Sequence, residues 1–233
     1  MKTGRNSKNP GILYVIASPI GNLEDISYRA VRILKEEIEH LFCEDTRQTR
    51  KLLNNYEIKS KTYSLHSHSS NIKIESAIKL LNDGYTVGYI TDSGTPGLSD
   101  PGSSLIREAR KINIPIVPLP GPSALSNIIS VSGFPGKNII FLGFLSRKDG
   151  KRKKELEKLK DYCGVIVIYE SPHRIKKLLK DVYEIFPKCE IVIGREMTKI
   201  YEEYITGTIE EIYNDIDNFK ERGEFTIAIF NSY

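Results

Sequence analysis

Two α/β domains joined by a proline-rich hinge are predicted from three observations. Short apolar runs alternate with longer amphipathic ones along the chain. A segment holding Pro118, Pro120, Gly121 and Pro122 interrupts this alternation near the middle. The alternation then resumes to the end. Strands that alternate with helices point to a parallel α/β sheet. A segment with three prolines resists both helix and strand and marks a domain hinge. Residues 11–119 and 120–233 are therefore expected to form the two domains, after a polar, basic arm over residues 1–10.

Each element follows from its pattern. Gly11 to Ala17 reads as a buried first strand. Asp25 opens a helix with Ile26, Ala30, Ile33, Leu34 and Ile38 on one face. His40 to Cys43 is a short strand, followed by a helix containing Leu52 and Leu53. Ser70 or Asn71 caps a helix bearing Ile74, Ala77, Ile78 and Leu81, which Gly84 ends. Thr86–Ile90 is a strand, Leu105–Ile112 a helix and Ile114–Leu119 a strand. In the second half, helices are predicted over Ser123–Val131, Lys151–Tyr162 and His173–Phe186. Strands are predicted over Ile139–Leu142, Val165–Tyr169, Glu190–Gly194 and Phe225–Phe230. Thr208 and Glu211 stand at capping-box spacing and open a helix expected to run to Phe219.

Composition narrows the function classes. Hydrophobic residues make up 39% and charged residues 27%, ordinary values for a folded globular chain. No apolar run is long enough for a membrane-spanning helix, and the N-terminus lacks the apolar core of a secretory signal. A formal charge of +4 permits an RNA partner without demanding one. Three scattered cysteines form neither a metal motif nor a disulfide framework, which suits a cytoplasmic protein. His66 and His68 have the spacing of one strand face but lack a third ligand, so no metal is expected.

The densest chemistry follows the strands. Thr91–Gly102 (TDSGTPGLSDPG) comes directly after one, is rich in glycine, hydroxyls and carboxylates, and has almost no apolar residue. Ligands of open α/β sheets bind at such strand ends. The same composition also suits an ordinary loop. Neither a P-loop nor a G-x-G-x-x-G fingerprint is present; Ser18–Asn22 (SPIGN) occupies the latter's place. Glu44–Arg47 (EDTR) follows the second strand, where Asp45 or Thr46 also suits a helix cap. Glu170–Arg174 (ESPHR) and Arg195–Lys199 (REMTK) follow two further strands. Arg147–Lys154 (RKDGKRKK) is the one dense basic run, either a solvated helix face or a contact for RNA phosphates. Phe141 and Phe144 beside it suit either the core or base stacking.

Taken in order, GILYVIASPIGNLEDISYRAVRIL, FCEDTRQTRKLL, YITDSGTPGLSDPG, VPLPGPSAL, FLGFLSRKDGKRKKELE, VIYESPHRI and GREMTKIYEEYITGT resemble the tetrapyrrole methylase superfamily, the class III methyltransferases. EDTR and ESPHR point to its branch that methylates small-subunit ribosomal RNA. The resemblance spans Gly11 to Phe230. It implies two α/β domains with a cofactor cleft between them, a homodimer, S-adenosylmethionine as cofactor, and 2′-O-methylation of a cytidine ribose in 16S rRNA. The cofactor contacts it implies are Pro19, Gly21, Asp92, Ser93, Gly94, Thr95, Ser123, Ala124, Tyr169, Met197 and Thr226. Ribose 2′-O-methylation needs a proton acceptor, for which Glu44, Asp45 and Glu170 are the candidates. Arg47 and Arg174 are expected to hold phosphates, and Arg147, Lys148, Arg152 and Lys153 to touch the RNA backbone. Two readings compete: a tetrapyrrole methyltransferase of the same fold, and a non-catalytic ribosome-binding relative. The chain departs from the family pattern at Ser93, where alanine is commoner, and by ending where many members extend further.

Overall fold

The computed structural model describes residues 10–66, 71–98 and 102–231. Contacts divide the chain into two units, the first ending at Ser123 and the second starting at Ala124. The arm expected over residues 1–10 lies, but for Pro10, outside the described residues, as do His68 and Ser70.

The first unit runs β1 (Leu13–Ile16), α1 (Tyr28–Glu36), β2 (His40–Cys43), α2 (Thr46–Asn55), β3 (Lys61–Ser64), α3 (Asn71–Asn82), β4 (Val87–Ile90), α4 (Ser103–Lys111) and β5 (Ile116–Leu119). The strands form one sheet in the order β3-β2-β4-β1-β5, and every pairing is parallel. Alternate residues face opposite ways. Tyr14, Ile16, Leu41 and Ile90 pack against Ala30, Ile33 and Leu34 of α1 and Leu52 and Leu53 of α2. Leu13, Phe42, Val87 and Tyr89 pack against Ala77 and Leu81 of α3 and Leu105 and Ala109 of α4. The sheet is thus covered on both faces, which is why its strands read as unbroken apolar runs. β1 and β4 are neighbours whose outgoing chains lead to helices on opposite faces. That is the topological switch point, where a crevice opens at the carboxyl ends of the strands.

Capping chemistry moves α1 from its expected start. Asn22 caps a single 3-10 turn over Leu23–Asp25, and the Ser27 side chain then accepts the Ala30 N–H, so the helix starts at Tyr28 rather than Asp25.

The second unit runs α5 (Ala124–Ser132), β6 (Ile139–Phe144), α6 (Asp149–Glu157), β7 (Gly164–Glu170), α7 (Ile175–Ile185), β8 (Glu190–Arg195), β9 (Glu203–Thr208), α8 (Ile209–Asn214) and β10 (Phe225–Asn231). Its sheet, β6-β7-β10-β8-β9, is mixed rather than parallel. Only β6 and β7 run parallel; β10 lies antiparallel between β7 and β8, and β9 pairs antiparallel with β8. Ile166, Ile168, Ile191, Ile193, Ile227 and Ile229 bury one face under Leu156 of α6, Leu178 and Leu179 of α7 and Ile212 of α8. The Thr208 side chain accepts the Glu211 N–H at 3.2 Å and Glu211 accepts the Thr208 N–H at 2.8 Å, the expected capping box. α8 nonetheless stops at Asn214, and a 3-10 turn over Ile216–Asn218 replaces the rest of the expected helix.

Gly102 shows how the first core constrains the loop after β4. A Cβ on it would lie 2.2 Å from Cε1 of Tyr89, a fully buried ring. Gly102→Ala is expected to cost about 1–3 kcal/mol by overpacking, read as a lower urea midpoint. An unchanged midpoint would show that the ring has room to move.

Candidate functional site

The loops at the carboxyl ends of β1 and β4 are stitched together. Ser18 N–H donates to Gly94 O at 3.0 Å and Gly94 N–H donates back to Ser18 O at 3.1 Å, an isolated antiparallel bridge. Gly94 has φ +80°, a conformation that strains any residue with a Cβ. The Thr91 hydroxyl donates to Gly94 O at 2.9 Å, and the Thr95 hydroxyl to Pro122 O at 3.1 Å. Around this knot Asp92, Ser93 and Gly21 are exposed, and Pro19, Thr95 and Ser123 are half-buried. Ser18 itself is 3% exposed, and its hydroxyl has no hydrogen-bond partner among the described residues. A buried hydroxyl left open at a strand end is a donor available to a water or a ligand. Ser18 was not among the predicted site residues; its place as first residue of SPIGN, directly after the strand, was the available signal.

The EDTR segment joins this group. Asp45 N–H donates to Asp92 Oδ1 at 2.9 Å, which ties the start of α2 to the loop after β4. Asp45 caps α2 by accepting the Arg47 N–H at 2.8 Å, and it also pairs with the Arg47 guanidinium at 2.6 Å. The Arg47 side chain, then its backbone N–H, hold the Asp45 carboxyl down at about 2. A carboxylate so stabilised is a poor proton acceptor, which argues against Asp45 as the base. Desolvation by the loop pushes the Asp92 carboxyl upward, against the pull of the Asp45 N–H. Glu44 is half-buried at the end of β2.

In the second unit the structure corrects several expectations. The Glu170 side chain is fully buried, and Arg174 lies 3.0 Å from it. Arg174 also donates to Leu145 O at 2.9 Å and Ser146 O at 3.2 Å. The pair is therefore a clasp between the end of β7 and the loop after β6, and neither a free base nor a free phosphate ligand. Arg152 is 2% exposed and pairs with buried Asp181 at 2.6 Å and with Asp149 at 3.0 Å, so it does not reach RNA. Lys153 pairs with Glu184 at 2.5 Å. Arg147 and Lys148 are exposed as expected.

Tyr169, Met197 and Thr226 lie at neighbouring strand ends. The Tyr169 hydroxyl accepts the Leu125 N–H at 3.1 Å, one residue along α5 from Ala124. Thr226 stands between Tyr169 and Gly194 in register. Met197 is buried, and a Cβ on Gly194 would meet its sulfur at 2.5 Å. Glu196 and Thr198 on either side of it both have positive φ, at 49° and 66°. Backbone strain of this kind clusters where a turn must aim a side chain.

Two predictions follow from these charges. Asp181→Ala leaves buried Arg152 with only the exposed Asp149 carboxylate, at an expected cost of about 3 kcal/mol, whereas joint Arg152→Met and Asp181→Leu should recover most of it. Urea unfolding checks this; equal losses in both variants would mean the pair does more than neutralise itself. Asp45 titrates lower when folded than its unfolded value of about 3.9, so its contribution is present above about pH 4 and lost as pH falls through about 2. Asp45→Asn should therefore melt below the parent near neutrality and converge with it in acid. A gap that does not narrow would mean that the ionised form is not favoured.

A family profile described as Tetrapyrrole (Corrin/Porphyrin) Methylases matches residues 12–213. A protein of Borrelia garinii subsp. bavariensis named ribosomal RNA small subunit methyltransferase I is 44% identical over 95% of this chain and 99% of its own. The protein of that name from Thermotoga maritima is 41% identical over 94% and 98%. Among solved structures, uroporphyrin-III C-methyl transferase from Thermus thermophilus complexed with S-adenyl homocysteine superposes with a TM-score of 0.63 at 15% identity, covering 94% of this chain and 97% of that one. By profile and by identity over nearly its whole length, the chain belongs to the tetrapyrrole methylase family.

Proposed function

We propose that this protein transfers a methyl group from S-adenosylmethionine to the 2′-hydroxyl of a cytidine in small-subunit ribosomal RNA. The observation that supports this best is the identity of 41–44%, over almost the full length, to relatives named for that RNA. The tetrapyrrole reading has weaker support, because the solved porphyrin enzyme, at 15% identity, shares the fold alone. A homodimer in the cytoplasm belongs to the proposed reading through the family resemblance.

The switch-point loops suit the cofactor. The unpartnered Ser18 hydroxyl and the second oxygen of Asp92 offer a donor and an acceptor within one bonded knot, in which Gly94 carries no side chain. Asp92 would accept from hydroxyl or ammonium groups of the cofactor, with Ser93, Thr95, Pro19 and Gly21 around it. Bound there, S-adenosylmethionine supplies an electrophilic methyl group on a positively charged sulfur.

The chain's task is then to position the ribose and take its proton. The ribose hydroxyl must give up its proton when it accepts the methyl group, and a carboxylate of the chain would take it. Glu44, half-buried directly after β2 and next to the residue whose N–H holds Asp92, is the proposed acceptor. Asp45 acts as a positioning residue, since its N–H orients Asp92.

Incubation with methyl-labelled S-adenosylmethionine and, in parallel, small ribosomal subunits, naked rRNA and a tetrapyrrole should place label on an rRNA ribose. Glu44→Gln should lower the rate by about 10²-fold or more while leaving cofactor affinity intact. Label on the tetrapyrrole alone would overturn the substrate, and full turnover by Glu44→Gln would overturn the acceptor.

A further inference from the structure

The loop after β6 and the helix that follows it present an aromatic ring and a set of unpaired cations that the reaction does not use. β6 is an edge strand and ends at Phe144, which is 59% exposed. Its ring is not loose. It stands edge-on to Tyr169 at 5.7 Å, and Phe141 braces Tyr169 in the same manner at 4.8 Å. Beside Phe144 is an open groove of about 510 Å³ lined by Leu142, Leu159, Lys151, Lys158 and Glu155.

The charges sort by direction. Arg147–Lys158 holds seven cationic and three acidic side chains. Arg152 and Lys153 are spent on Asp181 and Glu184. Asp149 pairs with Arg152, and Glu155 accepts the Ser146 N–H at 3.1 Å. Arg147, Lys148, Lys151, Lys154 and Lys158 remain exposed, and none has a carboxylate partner among the described residues. Lys151 and Lys158, seven residues apart, line the same side of α6 as the groove. The turn between ring and cations is fixed at both ends, by Arg174 on the Leu145 and Ser146 carbonyls and by Glu155 on the Ser146 N–H.

A braced, exposed ring flanked by unpaired cations is the arrangement that binds single-stranded nucleic acid, since every base has a face to stack and every link a phosphate. We propose that this groove is a subsite for an unpaired base of the RNA substrate, which stacks on Phe144 while Lys151 and Lys158 hold the flanking phosphates. It rests on the rRNA reading above and deepens it. The excess of cations favours RNA over a peptide as the occupant.

The chain contains no tryptophan, so Phe144→Trp installs a single reporter. Its fluorescence should be quenched saturably by a single-stranded oligoribonucleotide, and not by heparin or polyglutamate, which carry charge without bases. Phe144→Ala should weaken oligoribonucleotide binding by about 5- to 150-fold, the range for one stacked base, whereas Phe144→Trp keeps it. Joint Lys151→Gln and Lys158→Gln should flatten the salt slope of binding by about 1.4. Binding of S-adenosylhomocysteine, followed by calorimetry, should be unchanged in all of them. Parent-like RNA affinity in Phe144→Ala, or equal quenching by heparin or polyglutamate, overturns the subsite. If the parent neither binds S-adenosylhomocysteine nor labels rRNA, the methyltransferase reading itself has failed.

Discussion

The paired hydrogen bonds between Ser18 and Gly94 hold together the loops proposed to receive the cofactor. They join the loops leaving β1 and β4, the two neighbouring strands whose chains diverge to opposite faces of the sheet. Divergence opens a crevice, but two independent glycine-rich loops would not hold its shape. The bridge supplies that shape, and it requires a residue without strain at φ +80°, which is why glycine stands at position 94. Thr91 and Thr95 then pin the same loop to its own backbone and to Pro122. Asp45 adds the β2 end through Asp92. The ends of β1, β2 and β4 thus become one bonded surface rather than three mobile segments, and preorganisation of that kind is what positioning catalysis requires.

Much of this was legible in the sequence, and the failures have a common cause. Strands buried on both faces were readable because Leu13–Ile16, His40–Cys43 and Val87–Ile90 are apolar almost throughout. The two strands that escaped, β3 and β9, are both sheet edges. Lys61–Ser64 and Glu203–Thr208 carry polar side chains because an edge faces water on one side, and an edge strand must also resist further pairing. Strand direction in the second unit was likewise unreadable. Helical crossovers link β7 to β8 and β9 to β10, so alternation looks the same whether or not an antiparallel strand is inserted between parallel ones.

Site residues were legible as segments and not as roles. Position after a strand drew attention to SPIGN, TDSGTP and EDTR, whose loops the first sheet ties together, and to ESPHR at the end of β7 in the second unit. Which atom of each faces a ligand depends on local pairing that a linear pattern does not carry. Arg152 is the instructive case. It sits in the middle of a basic run, yet it lies four residues before Leu156 on the face of α6 that the core requires. Helical period, applied to the charges as strictly as to the apolar residues, would have placed it inside.

The same periodicity explains why the basic run has two functions and not one. A helix packed on a sheet has one buried face, so a dense row of cations along it cannot all reach solvent. The one that turns inward, Arg152, needs a carboxylate, and Asp181 of α7 supplies it. The cost of desolvating Arg152 and Asp181 is offset only while both remain, so the pair fixes how α6 seats on α7. That seating in turn decides which cations face outward and where they stand relative to Phe144. The unpaired lysines therefore owe their placement to the paired arginine, and a charge buried for structure sets the geometry of the charges left free for a phosphate chain.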